Sequence, residues 1–135
     1  MSGSVLKCGD MISRLDHLVL TVRDISRTVD FYTQILGMQE MSFGNGRKAL
    51  SFGAQKINLH EVGKEFEPKA GKPTSGSADL CFIADTALSE IMEHLQAQGI
   101  AILEGPVART GAQGPILSVY LRDPDGNLIE ISEYV

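Results

Sequence analysis

The chain has 135 residues, 43% of them hydrophobic and 21% charged, a globular composition long enough for one core and too short for two. Twelve Lys and Arg against 17 Asp and Glu give a formal charge of -5, so the clustered positive surplus that neutralises nucleic-acid phosphates is missing. No apolar run approaches the roughly 20 residues of a membrane helix. Residues 1–10 lack a signal-peptide core, and Cys8 and Cys81 make no disulfide framework, which suits a reducing cytoplasm.

In chain order, an N-terminal extension over residues 1–11 precedes a first strand at 15–22. Asp24 is placed to cap a helix with Ile25, Val29, Tyr32 and Leu36 on one stripe, ended by Gly37. Strands follow at 38–43, 48–52 and 56–62, separated by Gly44-Asn45-Gly46 and Gly53-Ala54 turns. A glycine-bounded segment, 63–76, then reads as a lid loop carrying Lys64, Lys69 and Lys72. The second half repeats the order: a strand at 77–84 and a helix after Asp85 or Thr86. That helix has Leu88, Ile91, Met92 and Leu95 on one face and stops at Gly99. Strands at 100–104, 116–122 and 128–134 complete it, with a second lid expected at 105–115.

The string is therefore β-α-β-β-β twice. His17 and Asp79 are 62 residues apart, as are the closing glycines Gly37 and Gly99. The last strands overlay at a shift of 72, the extra ten residues falling in the glycine-rich segment of the second half.

Strand alternation gives each half a helix-facing and an opposite side. Leu18, Leu20 and Val22 face the first helix, and Ile57 and Leu59 join them from the fourth strand. His17, Asn58, Asp79 and Glu130 take matching places on the other side. If that side curls into a trough, one imidazole, two carboxylates and one amide oxygen converge on a six-coordinate divalent ion completed by water. A solvated sheet face gives the same alternation. The coincidence of polar positions in the two halves is what argues for a site.

The block Leu15-Asp16-His17-Leu18-Val19-Leu20, the helix block Phe31-Tyr32-x-x-Ile35-Leu36-Gly37-Met38, and Arg122-Asp123-Pro124-Asp125-Gly126-Asn127-Leu128-Ile129-Glu130 resemble the vicinal oxygen chelate (VOC) superfamily of glyoxalase I and extradiol dioxygenases. The resemblance covers residues 12–135, and its last block is the most specific. Residues 58–68 and 109–115 are similar to a subgroup that holds glyoxalase domain-containing protein 5 and bacterial virulence-associated relatives. The resemblance implies an α+β fold. Two βαβββ modules, about 12–63 and 77–135 and linked by loop 64–76, would form one domain with a half-open barrel-like sheet, often in a homodimer.

It also implies a divalent metal, with Mn, Fe, Ni, Zn and Mg all compatible. His17 and Glu130 stand at intact ligand positions. Asp79 replaces the usual histidine, and Asn58 stands where glyoxalase I has glutamate and some epimerases an amide; His60 is the alternative ligand. A 2-His-1-carboxylate iron triad lacks its second aligned histidine, and glyoxalase I chemistry lacks one of its two glutamates.

The expected function is a metal-dependent enzyme, a lyase, isomerase or dioxygenase, on a small substrate with neighbouring oxygens. Glu130 would be its catalytic proton carrier. Tyr120, Ser118 and His60 are the substrate-contact candidates, and Arg109 is the anchor for an anionic substrate group. Each has a plainer reading as a packing or solvated residue. The rival function is a metal-free VOC module that binds or sequesters a small molecule.

Overall fold

The alternation and the two helical stripes resolve into ten elements in a computed structural model that describes residues 5–135. The first four residues of the N-terminal extension lie outside the described residues. The first unit is β1 (His17–Val22), α1 (Ile25–Gln34), β2 (Gln39–Phe43), β3 (Arg47–Phe52) and β4 (Gln55–Glu61). The second is β5 (Asp79–Ile83), α2 (Leu88–Ala97), β6 (Glu104–Gly111), β7 (Gly114–Arg122) and β8 (Leu128–Tyr134). Each forms a four-stranded mixed sheet, β1-β4-β3-β2 and β5-β8-β7-β6, with its first strand parallel to its last. This is the α+β architecture of paired βαβββ units. Among the described residues no helix is long and apolar enough to cross a membrane.

The register carries the duplication further than sequence identity does. Asn58 lies beside Val19 in the first sheet, and Glu130 lies beside Cys81 in the second. In each case the last-strand residue pairs two positions beyond the residue that opens the first strand, His17 or Asp79.

Helix α1 starts as expected, with the Asp24 carboxylate accepting from the Arg27 amide. The second helix follows Asp85 and Thr86 as expected, but its cap position is Ala87, whose side chain cannot accept. The Leu88 amide instead donates to the Glu133 carboxylate of β8 at 3.0 Å. A long-range acceptor thus replaces a local one.

The expected lid at 105–115 is also corrected. It is β6, a tight turn at Ala112-Gln113 and the start of β7, while only Glu104 of the strand expected at 100–104 is in a strand. Its glycines and prolines hid the alternation. Gly105 has φ +117 at a bulge in the β6–β7 pairing, and a Cβ there would collide with the Ser118 carbonyl oxygen. The ten extra residues therefore lengthen a hairpin rather than make a loop.

One core joins both units. Leu20, Val22, Leu50, Ile57 and Leu59 of the first sheet cluster with Val119, Leu121, Ile129 and Ile131 of the second, with Tyr32, Leu88 and Leu95 from the helices. Phe52 and Phe82 meet edge-on at 5.2 Å between centroids. Because the helix-facing sides share this core, the opposite sides of the two sheets point away from it.

Candidate functional site

The face of the first sheet away from the core carries His17, Asn58 and His60, as the alternation predicts. His17 is half-exposed, and its Nδ1 is 2.8 Å from the Asp16 carboxylate. A carboxylate can only accept, so Nδ1 holds the proton and the Nε2 lone pair is left free. The same contact draws the Asp16 carboxyl below the ordinary range. Asn58 is 6% exposed, and its Oδ1 is buried with no hydrogen-bond partner. An orphaned buried acceptor is costly and uncommon. His60 is buried as well, and this desolvation, followed by the neighbouring Arg47, lowers its pKa. It stands beside a cavity of about 220 Å³ bounded by Val19, Thr21, Pro68, Lys69 and Pro73, so the loop at 64–76 folds across this face.

The corresponding face of the second sheet carries Asp79, Glu130, Ser118, Tyr120 and Arg109. Ser118 is fully buried, and its hydroxyl donates to Glu130 Oε2 at 2.6 Å. Ser132 lies 2.6 Å from Ser118 and 3.4 Å from the same carboxylate oxygen. These hydroxyls fix one edge of Glu130; Ser118 reaches the carboxylate and not the solvent. Tyr120 pairs with Glu130 across β7–β8, and its hydroxyl accepts from Arg109 Nε at 3.0 Å. Arg109 also meets Glu104 at 3.3 Å, and it stands on β6 rather than on a lid loop. Cys81, between Asp79 and Glu130, has its thiol pushed up by partial burial and by those carboxylates, the wrong direction for a nucleophile.

The four candidate ligands thus fall into two pairs, His17 with Asn58 and Asp79 with Glu130, on outward faces of different sheets. Among the described residues no three His, Cys, Asp or Glu side chains gather as a metal group. The donor chemistry nonetheless fits a divalent ion. It offers a histidine turned with a free Nε2, an orphaned amide oxygen and a carboxylate held by one edge. A cleft of about 760 Å³ opens between the units, but its walls at Ile35, Met38, Phe52 and Phe82 are apolar and it holds none of the four.

Sequence reasoning missed Arg47 and Phe66, which flank His60 on the first face. The signal was present for Arg47, which has the parity of Ala49 in β3, opposite Asn58. Phe66 sits in a loop, where alternation gives no guide.

Residues 14–131 match the family described as Glyoxalase/Bleomycin resistance protein/Dioxygenase superfamily. The chain is 61% identical to virulence protein STM3117 of Salmonella typhimurium over 125 residues, 93% of this chain and 87% of that protein. It is 60% identical to glyoxalase domain-containing protein RDO1 of Mycosarcoma maydis, over 91% of this chain and 69% of that one. An integron cassette protein from the mobile metagenome of V. Cholerae, VCH_CASS1, superposes with a TM-score of 0.92 at 62% identity, over 98% and 100% of the two chains.

Proposed function

Because the chain belongs to the Glyoxalase/Bleomycin resistance protein/Dioxygenase superfamily, we propose that it is a metal-dependent enzyme on a small substrate with vicinal oxygens, its centre shared by two copies of the chain. The observation that carries this is the split of the ligand candidates between two outward faces, each bordered by an open edge strand, β1 or β5. Val19 on β1 is 45% exposed and Ile83 on β5 is 50% exposed, apolar surface that a second copy would cover. Opposing the first sheet of one copy to the second sheet of another brings His17 and Asn58 toward Asp79 and Glu130 of the partner subunit. A C2 pair would build two such centres.

A divalent ion bound there would chelate adjacent substrate oxygens and stabilise negative charge developing on them. The chain's own part is specific. Ser118 and Ser132 hold Glu130 Oε2 and leave the other oxygen to accept or return a substrate proton. Asp16 orients His17. Tyr120, its phenol already accepting from Arg109, has its hydroxyl proton to donate to a substrate oxygen beside Glu130. The free thiols of Cys8 and Cys81 accord with work in a reducing cytoplasm.

The test is the metal content of untagged protein purified without chelators, with His17→Ala and Glu130→Ala alongside. Wild type should hold stoichiometric metal and each variant should lose it. Mixed dimers formed by co-refolding the two variants should recover metal, because one of their two centres would have both His17 and Glu130. Wild type that stays empty and gains no stability from Mn, Fe, Ni, Zn or Mg would return the chain to the metal-free binding reading. Variants that never complement would place the whole centre within one chain.

A further inference from the structure

Arg47 is the arginine whose surroundings are least like those of its fellows. Arg23 and Arg109 each meet a carboxylate, Asp125 and Glu104 respectively. Arg14, Arg27 and Arg122 have no such partner but are exposed to solvent. Arg47 is half-buried, and among the described residues it has no carboxylate partner. Its guanidinium carbon lies over the rings of Phe43 and Phe66, 4.9 and 4.5 Å from their centroids. Its Nε is buried and unpaired, and among the described residues its side chain's one polar contact is a long one, 3.4 Å from Nη2 to His60 Nε2.

Two features make this an expensive arrangement. A guanidinium shielded by aromatic rings loses hydration that cation–π attraction only partly restores. The neighbouring His60 does not neutralise it, since an imidazole carries no negative charge in either protonation state. Lys56 adds a second positive charge over the same Phe43 ring, at 4.0 Å. In a chain with a net charge of -5, Arg47 and Lys56 thus bring two positive charges to one aromatic ring.

We propose that Arg47 is a binding residue for a carboxylate of the substrate, held on the first-sheet face beside His60 and Asn58. This rests on the reading above for which face is the working one and names the substrate class: a small organic acid. Rings over the guanidinium face leave its N–H edge as the binding direction, and a planar carboxylate matches that edge through two parallel hydrogen bonds. Phosphate can use the same fork, so it stands in the test as the competing anion. Phe66 comes from the loop at 64–76, so the residue that shields Arg47 also belongs to the segment closing over the 220 Å³ cavity. The anchor is thus on the opposite module from Arg109, which Glu104 already neutralises.

The test titrates the full chain with acetate, lactate, succinate and benzoate, with succinamide and inorganic phosphate as controls, by NMR shift perturbation. It is run on chelator-treated and on Mg-loaded protein. At least one carboxylate should bind chelator-treated wild type, and succinamide should not. Arg47→Met, which keeps the stem, should weaken that binding by about 10- to 100-fold, and Arg47→Lys, which keeps the charge and loses the fork, by less. Unchanged amide spectra away from the site would establish that both variants fold. No binding by any of the four acids, equal binding to Arg47→Met, or tighter binding of phosphate than of every acid would each overturn the proposal. Arg47-dependent binding without metal would uphold it even if the metal reading failed. Binding that needs Mg and ignores Arg47 would sink it and leave the metal reading standing.

Discussion

The buried hydroxyl of Tyr32 in α1 donates to Asp123 Oδ2, at the end of β7, over 2.7 Å, and so fastens the helix of one unit to the turn of the other. Asp123 also accepts from the Asp125 and Asn127 amides and the Asn127 side chain, so the turn is built around this carboxylate. Burial, then the adjacent carboxylate, raises the Tyr32 pKa far out of reach, which keeps the donor proton in place. Tyr32→Phe should cost about 1 to 2 kcal/mol in urea unfolding, because Asp123 keeps its three other donors. An unchanged midpoint would mean that the contact contributes nothing to joining the units.

Removing the Ser118 hydroxyl takes away the shorter of the two hydrogen bonds that hold Glu130 without touching a proposed ligand. Ser118→Ala should lower metal affinity or turnover by about 10- to 100-fold, the range seen when a ligand's supporting partner is lost. Calorimetric titration with Mn reads the first. If affinity holds while the unfolding midpoint falls, Ser118 serves packing alone.

Glu133 should act as a cap from a distance. Glu133→Ala leaves the Leu88 amide without its acceptor and should destabilise by about 1 kcal/mol. Glu133→Gln keeps an acceptor oxygen and should lose less. Hydrogen exchange of the Leu88 amide localises the effect, which should be confined to the first turn of α2.

At Gly105 a side chain has nowhere to go. Gly105→Ala places a Cβ against the Ser118 carbonyl at a positive φ and should cost about 2 kcal/mol or more. Since Arg109 and Ser118 lie on the two strands involved, the Arg109–Tyr120 bond should loosen as well. Thermal unfolding reads the first effect, and the Tyr120 ring resonances read the second.

Stability should depend on pH through His60. Its folded pKa lies below the ordinary value of about 6.5, chiefly through burial and then through Arg47, with Glu65 pulling the other way. As pH falls through about 6.5 the unfolded chain takes a proton that the folded one refuses, so stability declines, and the decline stops below the folded pKa. Urea unfolding of chelator-treated protein at pH 7.5 and 5.5 should show the loss, and His60→Gln should reduce it. A wild-type slope unchanged by that substitution would assign the effect elsewhere.

Much of this was legible in residue order. Leu20, Ile57 and Ile129 fall on core faces and His17, Asn58 and Glu130 on the opposite ones, because a strand's period of two is set by the backbone. Both helices and the duplication follow from spacing of the same kind. The second hairpin was not legible, because Gly105, Pro106 and Gly111 interrupt the alternation in a segment whose strand character comes from pairing with β7. Nor was the cap of α2, whose acceptor lies 45 residues downstream.

The sequence by itself determined what each module presents on each face. The tertiary structure alone decided which faces meet. Tyr32 to Asp123, Arg23 to Asp125 and His94 to the Ile35 carbonyl are long-range contacts that pack the two modules helix side to helix side. That choice turns the faces that carry the proposed ligands outward, His17 on one sheet and Glu130 on the other. Local periodicity carries no information about it, since either packing of the modules would satisfy the same alternation of apolar and polar residues.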